Sequence, residues 1–364
     1  MNANKSLPSA IAAATNALPG APITVHADGR VSASSAIASL TVGPVTDPAP
    51  RATLVLPPAV GRVLALAKEG DGAAVTFEEK RVVVKTRFGT SKYAYADAPV
   101  WPTKHIADQG VVFTLDPHAM QKLDQLIGFA SPAEQIALRR GITLLPAHGA
   151  WAAAAISQTY LRVAKVADFA ALDVPTMASA ITMPTATAKA LVRSMSQPTL
   201  TTGPRGFRAV EADVDFNGVV YEADKAVLAR AIHEFGAEAA CNVTLTSEAV
   251  ADIAIALGVC AVADTLVTID WATDELKLSC GAQGNETTLS LPYAASIPFT
   301  VRMVIGQVVD GLAILANKGG TLSFLNGNVV KFAATLASGY DYAVASVLKR
   351  ATTTVAREDE EVTA

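Results

Sequence analysis

The reactive side chains of this sequence do not form a catalytic pattern. Five histidines are scattered along the 364 residues: His26, His105, His118, His148 and His233. None has a neighbour at a spacing typical of a metal site or of a Ser-His-Asp triad. The GxGxxG, Walker A, HExxH and GxSxG motifs do not occur either. We therefore expect a protein that is not an enzyme and that needs no cofactor or metal, with an enzyme of unrecognised type as the alternative.

The cysteines and the charge balance restrict the class of protein. Cys241, Cys260 and Cys280 are an odd set without a CxxC pair, so we expect neither a disulfide framework nor a zinc site, and we expect a reducing cytoplasm. The longest apolar run, residues 253–263, is too short to span a membrane. A formal charge of −4 argues against a protein that coats DNA with a uniformly basic surface. It is compatible with a ring whose basic residues face inward.

Basic side chains recur on one face of predicted helices. In the helix that follows Pro184, Lys189 and Arg193 share a polar face at a spacing of four residues, opposite an apolar stripe that includes Ala188 and Leu191. Such a face could contact phosphates, although a solvated helix face has the same composition. The further candidates are Arg62, Lys68, Lys122, Arg139, Arg140 and Lys318.

A helix predicted from Ser247 breaks this basic pattern. Its exposed residues Glu248 and Asp252 are acidic, and no Lys or Arg follows before Asp264. A basic surface built from these helices would therefore be patchy.

A unit of a short strand, a helix and further strands occurs three times, at residues 52–95, 180–221 and 299–347. In the second copy the last two strands are predicted at residues 207–214 and 218–221. A strand that leads into a helix precedes two of the units, with Asp116 and Thr246 as predicted N-caps. Residues 6–18 could form the equivalent first helix, without a convincing strand before them.

The repeat predicts an α+β protein of three similar domains, each with two helices and two small antiparallel sheets. We expect them at residues 1–108, 109–239 and 240–350. Residues 351–364 end in Arg357-Glu-Asp-Glu-Glu361, a composition that favours a disordered acidic tail.

The order of several segments resembles the bacterial β sliding clamp, the β subunit of DNA polymerase III. The matching segments are Phe113-Thr-Leu115, the helix to Phe129, Gly141-Ile-Thr-Leu-Leu145, Gly149-Ala-Trp151, Tyr160-Leu-Arg-Val163, and Val243-Thr-Leu245 through Tyr342-Ala-Val344. The family typically has Thr-Asp-Gly-His-Arg-Leu beside its partner-binding cleft, where this chain has Ile156-Ser-Gln-Thr-Tyr-Leu161. The resemblance leaves open whether a host or a virus encodes the chain.

The resemblance implies a homodimer that closes into a ring around double-stranded DNA, without sequence preference, and that works with a DNA polymerase and a clamp loader. The basic residues given above would line the hole. A hydrophobic cleft for partner peptides, between the second and third domains, would include Ile156, Tyr160, Leu161, Val344, Val347 and Leu348. We expect no membrane partner. The alternatives are a clamp-fold structural or adaptor ring that does not load on DNA, and an oligomeric shell component.

Overall fold

A computed structural model describes most of the chain and divides it into two compact units. The described residues are 5–67, 72–97, 110–130, 141–156, 160–169, 175–203, 205–221, 225–235, 239, 241–263, 265–281, 286–295, 297–316, 319–325, 329–334 and 341–346. Unit 1 comprises Met1–Ala155 and Val166–Ala226, and unit 2 comprises Ile156–Lys165 and Val227–Ala364. The boundaries of the three domains stay predictions, and residues 351–364 lie outside the described part of the chain.

Seven helices occur in the described residues. They are α1 (Leu7–Ala17), α2 (Pro58–Leu66), α3 (Pro117–Ile127), α4 (Thr185–Ser194), α5 (Lys225–Phe235), α6 (Ser247–Ala263) and α7 (Ile305–Leu315). Both predicted N-caps are confirmed: the Asp116 carboxylate accepts a hydrogen bond from the Ala119 amide at 2.7 Å, and the Thr246 hydroxyl accepts one from the Ala249 amide at 3.2 Å.

The strands follow the same order three times. The first run of strands comprises β1 (Ile23–Val25), β2 (Val31–Ser34), β3 (Ala38–Val42), β4 (Leu54–Leu56), β5 (Ala74–Phe77), β6 (Arg81–Thr86) and β7 (Gly89–Ala94). The second comprises β8 (Val111–Thr114), β9 (Gly141–Ala147), β10 (Ala150–Ile156), β11 (Tyr160–Asp168), β12 (Ile181–Pro184), β13 (Thr199–Gly203), β14 (Gly206–Glu211) and β15 (Val214–Val219). The third comprises β16 (Cys241–Leu245), β17 (Leu266–Trp271), β18 (Leu276–Cys280), β19 (Thr287–Leu291), β20 (Phe299–Val304), β21 (Gly320–Leu325), β22 (Val329–Ala334) and β23 (Asp341–Ser346).

The three copies differ at one position in the order. In the second and third copies a strand, β8 or β16, precedes the first helix, α3 or α6. In the first copy the described residues hold no strand ahead of α1. The predicted α+β class and the threefold repeat of element order are confirmed.

Unit 1 contains an eight-stranded antiparallel sheet in the order β4-β1-β2-β3-β15-β14-β13-β8 and a three-stranded sheet in the order β5-β6-β7. Strand β3 joins β15 through five paired residues, among them Leu40 opposite Phe216. Both side chains are fully buried, as is Phe207 on the neighbouring strand. Helix α1 packs against both α2 and α4. The core of the unit therefore depends on the junction between β3 and β15.

Unit 2 repeats this type of junction. The first residues of β11 pair with β23, with Leu161 opposite Val344, and the ladder continues through β22 and β21 to β16. A separate four-stranded sheet has the order β19-β18-β17-β20. Gly311 on α7 lies against the Phe332 ring, since an added Cβ would come within 2.5 Å of that ring. Helix and sheet consequently pack at a distance that only glycine permits.

One predicted turn is wrong. The strand predicted at residues 207–214 ends at Glu211, and the chain turns at Ala212, which has a positive φ of 49°. The dipeptide Asn217-Gly218, a typical turn signal, lies inside β15 instead. An added Cβ on Gly218 would lie 2.4 Å from the Phe207 ring, so this glycine serves close packing and not a turn.

Candidate functional site

Two predicted basic residues lie together on the helices of unit 1. Arg62 on α2 and Arg193 in the last turn of α4 are both exposed and line one cavity, of about 620 Å³, with residues at the end of α1. The Arg193 Nη1 donates a hydrogen bond to the Asn16 carbonyl oxygen at 3.3 Å. A cation at the C-terminal end of a helix is favourable, because the last carbonyl groups carry partial negative charge. The packing of α1 against α2 and α4 thus brings together two arginines that are far apart in sequence.

Lys189 extends this basic group along α4. It lies one turn before Arg193 and is exposed, while Ala188 and Leu191 on the other side of the helix are buried. We call Arg62, Lys189 and Arg193 the basic group. Its members present three cations to solvent on neighbouring helices.

The prediction that Lys122 is exposed is wrong. Only 6% of Lys122 is exposed, although His118 and Gln125 on the same helix are exposed. Helix α3 packs against α4 and β9, and a long lysine stem can be covered by such neighbours. Lys68, Arg139, Arg140 and Lys318 lie outside the described residues.

Several residues of the predicted peptide cleft lie in unit 2. Leu161 is 3% exposed and lies opposite Val344 in the ladder between β11 and β23, and Tyr160 lies opposite Ala345. Ile156 is half-buried. Val347 and Leu348 lie outside the described residues. The ladder therefore aligns the two predicted segments, whereas Leu161 is already part of the core.

Charged residues on this ladder were not predicted as site residues. The guanidinium Nε of Arg162 lies 3.8 Å from the Asp341 carboxylate, and both side chains are largely buried. Burial raises the pKa of Asp310 on α7, and the positive charge of Arg162 opposes this shift. Lys331 on β22 lies over the Tyr342 ring at 4.8 Å, and burial lowers its pKa. The contact between Arg162 and Asp341 joins strands that are about 180 residues apart in sequence, which local patterns do not encode.

Helix α6 carries an exposed apolar stripe, which we define as Ile255, Val259 and Val262. They are 70%, 50% and 90% exposed. Their spacing of four and three residues places them on one helix face. The apolar run at residues 253–263 was visible in the sequence, but the exposure of one of its faces was not.

The acidic start of α6 is only partly exposed. Glu248 is exposed as predicted, but Asp252 is half-buried and accepts a hydrogen bond from the Tyr293 hydroxyl at 2.6 Å. This bond raises the pKa of Tyr293 to about 12. Asp252 therefore has a structural partner and is not simply a solvated acid.

The described part of the chain contains no group of three or more His, Cys, Asp or Glu side chains that could hold a metal ion. None of the described helices is both long and apolar enough to cross a membrane.

Comparisons with known proteins identify the fold. No protein-family model and no curated protein matches the sequence. Among solved structures, the DNA polymerase III β subunit of Thermotoga maritima has a TM-score of 0.79 at 13% identity, with 95% of this chain and 97% of that chain covered. The Pseudomonas aeruginosa subunit has a TM-score of 0.75 at 12% identity, covering 95% and 98%. The Helicobacter pylori β clamp has a TM-score of 0.78 at 9% identity, covering 94% and 98%. This chain has the sliding-clamp fold of the bacterial DNA polymerase III β subunits.

Proposed function

We propose that this chain is a DNA sliding clamp, a processivity factor that closes as a homodimer around double-stranded DNA and tethers a DNA polymerase. A clamp loader would place it on DNA, and it would act in the cytoplasm. The bacterial clamps that share the fold suggest this function, and the pattern of strand junctions in the chain itself supports it.

The observation that carries the proposal is that two strands, β7 and β19, lack the pairing partner that their counterparts in the other repeats have within the described residues. The three-strand runs that follow the first helices end in β3, β11 and β19, and those that follow the second helices end in β7, β15 and β23. Within the chain β3 pairs with β15 and β11 pairs with β23, in each case through five antiparallel residue pairs. Strands β19 and β7 are left at the ends of their sheets in the described structure. In a dimer, β19 of each copy could pair with β7 of the other copy. These two pairings would repeat the junctions seen within the chain and would close a ring.

The apolar stripe of α6 supports a contact at this end of the chain. Helix α6 packs against β18 and β19, so the stripe belongs to the same substructure as the open edge of β19. Exposed apolar side chains and unpaired strand edges both favour association. A head-to-tail contact between two copies would cover them.

The basic group is the part of the surface that suits DNA. A clamp needs a positive surface that follows phosphates without reading bases, and weak contacts suffice because the ring is linked to the duplex topologically. Arg62, Lys189 and Arg193 supply such contacts from unit 1. Partner peptides would bind near the ladder of Leu161 and Val344, where an apolar anchor can be buried. Replacing Tyr160 by Ala is expected to weaken binding of a polymerase peptide in a calorimetric titration.

One observation favours the alternative of a clamp-fold adaptor ring that does not load on DNA. Helices α6 and α7 contain no Lys or Arg, and they contain Glu248, Asp252 and Asp310. Together with the burial of Lys122, this leaves few cations for a DNA-facing surface.

The two proposals share the ring and differ in DNA binding. Light scattering at micromolar concentration is expected to give twice the mass of one chain, and a strictly monomeric mass would argue against the ring. Retention on circular DNA then separates the clamp from the adaptor.

A further inference from the structure

Within the described residues, the first repeat has no strand at a position that a strand fills in each of the other two repeats. In the second repeat β8 pairs with β13, the strand that follows α4, and in the third β16 pairs with β21, the strand that follows α7. The equivalent strand in the first repeat is β5, which follows α2. Strand β5 pairs with β6 on one side and is the last strand of its sheet on the other, within the described residues.

A groove of about 830 Å³ runs along this open edge. It is lined by all of β5, by the start of α1 at Ser6 to Pro8 and by the loop of residues 47–52. The loop is held to the helix because the Leu7 amide donates to the Asp47 carboxylate. The groove therefore lies where the missing strand would be, between the first turn of the helix and β5.

The residue that enters α1 does not follow the path of its counterparts. In the second repeat Leu115, just ahead of the N-cap, is buried and donates its amide to the Pro198 carbonyl at 3.0 Å, which continues the pairing towards β13. In the third repeat Leu245 is likewise buried. Lys5 has the same position before the N-cap Ser6, but its carbonyl accepts a hydrogen bond from Thr46 at 3.2 Å. Lys5 also stands where the other two repeats have a buried leucine, Leu115 or Leu245.

The other repeats define what would fit. A strand antiparallel to β5 would need apolar side chains at alternate positions, as Phe113 and Leu115 provide in the second repeat. By the register of β8 on β13, its C-terminal end would lie beside Ala74 and its N-terminal end beyond Phe77. At that end of the groove Glu78 pairs with Arg81, whereas Glu79 is exposed, so a basic residue at the start of the strand would be favoured beside Glu79.

We propose that the groove along β5 is a docking site for an extended segment of a partner protein, with a basic residue followed by alternating apolar residues, which adds a strand to the sheet. Backbone hydrogen bonds to β5 would provide affinity, and the alternating side chains would provide selectivity. This site goes beyond the proposed clamp function, because it lies in the first repeat and requires neither a ring nor DNA.

Hydrogen exchange of the full-length protein tests this site. The probe is an acetylated peptide, Lys-Lys-Val-Val-Phe-Thr-Leu, which copies residues 111–115 behind two lysines. It is expected to slow exchange of the amides of β5 at least tenfold, without effect on β7 at the opposite edge of the same sheet. A control peptide with Pro in place of its first Val, which copies Val111, lacks an amide on the side that would face β5, because amides alternate along a strand and the Leu115 amide faces β13 in the second repeat. It is expected to give much weaker protection. Glu79→Lys, an exposed site, is expected to weaken peptide binding about threefold.

Two outcomes would overturn the proposal. One is unchanged exchange of β5 at millimolar peptide. The other is faster exchange of β5 after deletion of residues 1–4 without any peptide, because the chain's own first residues would then be the occupant. Neither readout depends on dimer formation or DNA binding, so a failure here is distinct from a failure of the proposed clamp function.

Discussion

Replacing Val262 by Asp is expected to dissociate the proposed dimer. The side chain is 90% exposed in one chain, so almost all of its apolar surface is available for burial at a contact. Burying a valine contributes about 1.5 to 3 kcal/mol. A closed dimer contains the contact twice, which gives about 3 to 6 kcal/mol and a dissociation constant raised about 10² to 10⁴-fold. The carboxylate adds a desolvation cost in the same direction.

Sedimentation velocity over a dilution series measures this dissociation constant. The matched control is Val227→Asp, a helical valine on α5 that is 55% exposed and does not belong to the apolar stripe. Circular dichroism checks that both variants are folded. If Val262→Asp and Val227→Asp dissociate at the same concentration as the parent, the stripe on α6 is not part of the contact between copies.

Three further predictions concern DNA contact, packing and pH. Charge reversal of Lys189 and Arg193 together is expected to reduce retention on DNA at least tenfold with unchanged circular dichroism, and retention equal to that of the parent would show that α4 does not face DNA. Gly218→Ala is expected to destabilise the fold by about 1 to 3 kcal/mol in a denaturant titration, because the new Cβ would clash with the Phe207 ring, and unchanged stability would contradict this packing. Tyr293→Phe is expected to destabilise the protein at pH 8 and to have little effect near pH 12. The raised pKa of Tyr293, about 12 in the folded state, means that its contribution is complete below about pH 10 and is lost as pH rises to about 12. A destabilisation that stays constant over this range would contradict a role for its hydroxyl.

Local sequence patterns predicted the elements whose signals lie within a few residues. The strands and the helix of the first unit lie within the predicted residues 52–95, because alternating and helical apolar patterns between polar or glycine-rich breaks define them. The caps at Asp116 and Thr246 follow from the chemistry of a side-chain oxygen beside free amides. The repeat of these elements was sufficient to predict the fold class.

Features that depend on distant partners were not predictable in this way. The strand predicted to begin at Gly218 begins at Val214 instead, and the contact of Gly218 with Phe207, which crosses from one strand to the next, has no local signal. The burial of Lys122 depends on how α3 packs in the folded unit, and the exposure of Val262 depends on which face of α6 the sheet covers. A helical pattern gives the face of a residue, whereas tertiary packing decides whether that face is covered.

The groove at β5 is a feature of the three-dimensional structure that the sequence pattern did not predict. The sequence predicts a helix at residues 6–18 but shows no clear strand pattern ahead of it. In the structure, β8 pairs with β13 and β16 pairs with β21, and β13 and β21 are the strands equivalent to β5. The weak signal ahead of α1 therefore corresponds to an edge that is open within the described residues.

Retention on circular DNA tests the central claim most directly. Dissociated subunits are allowed to reassociate in the presence of nicked circular plasmid, so that rings close around the duplex without a loader, and the complex is isolated by gel filtration at high salt. High salt removes the contribution of phosphate contacts and leaves topological linkage. A sliding clamp is expected to stay with the circle and to be released when a restriction enzyme linearises it. Rings that assemble but never remain with the circle, or that remain equally on linear DNA, would contradict the proposed function.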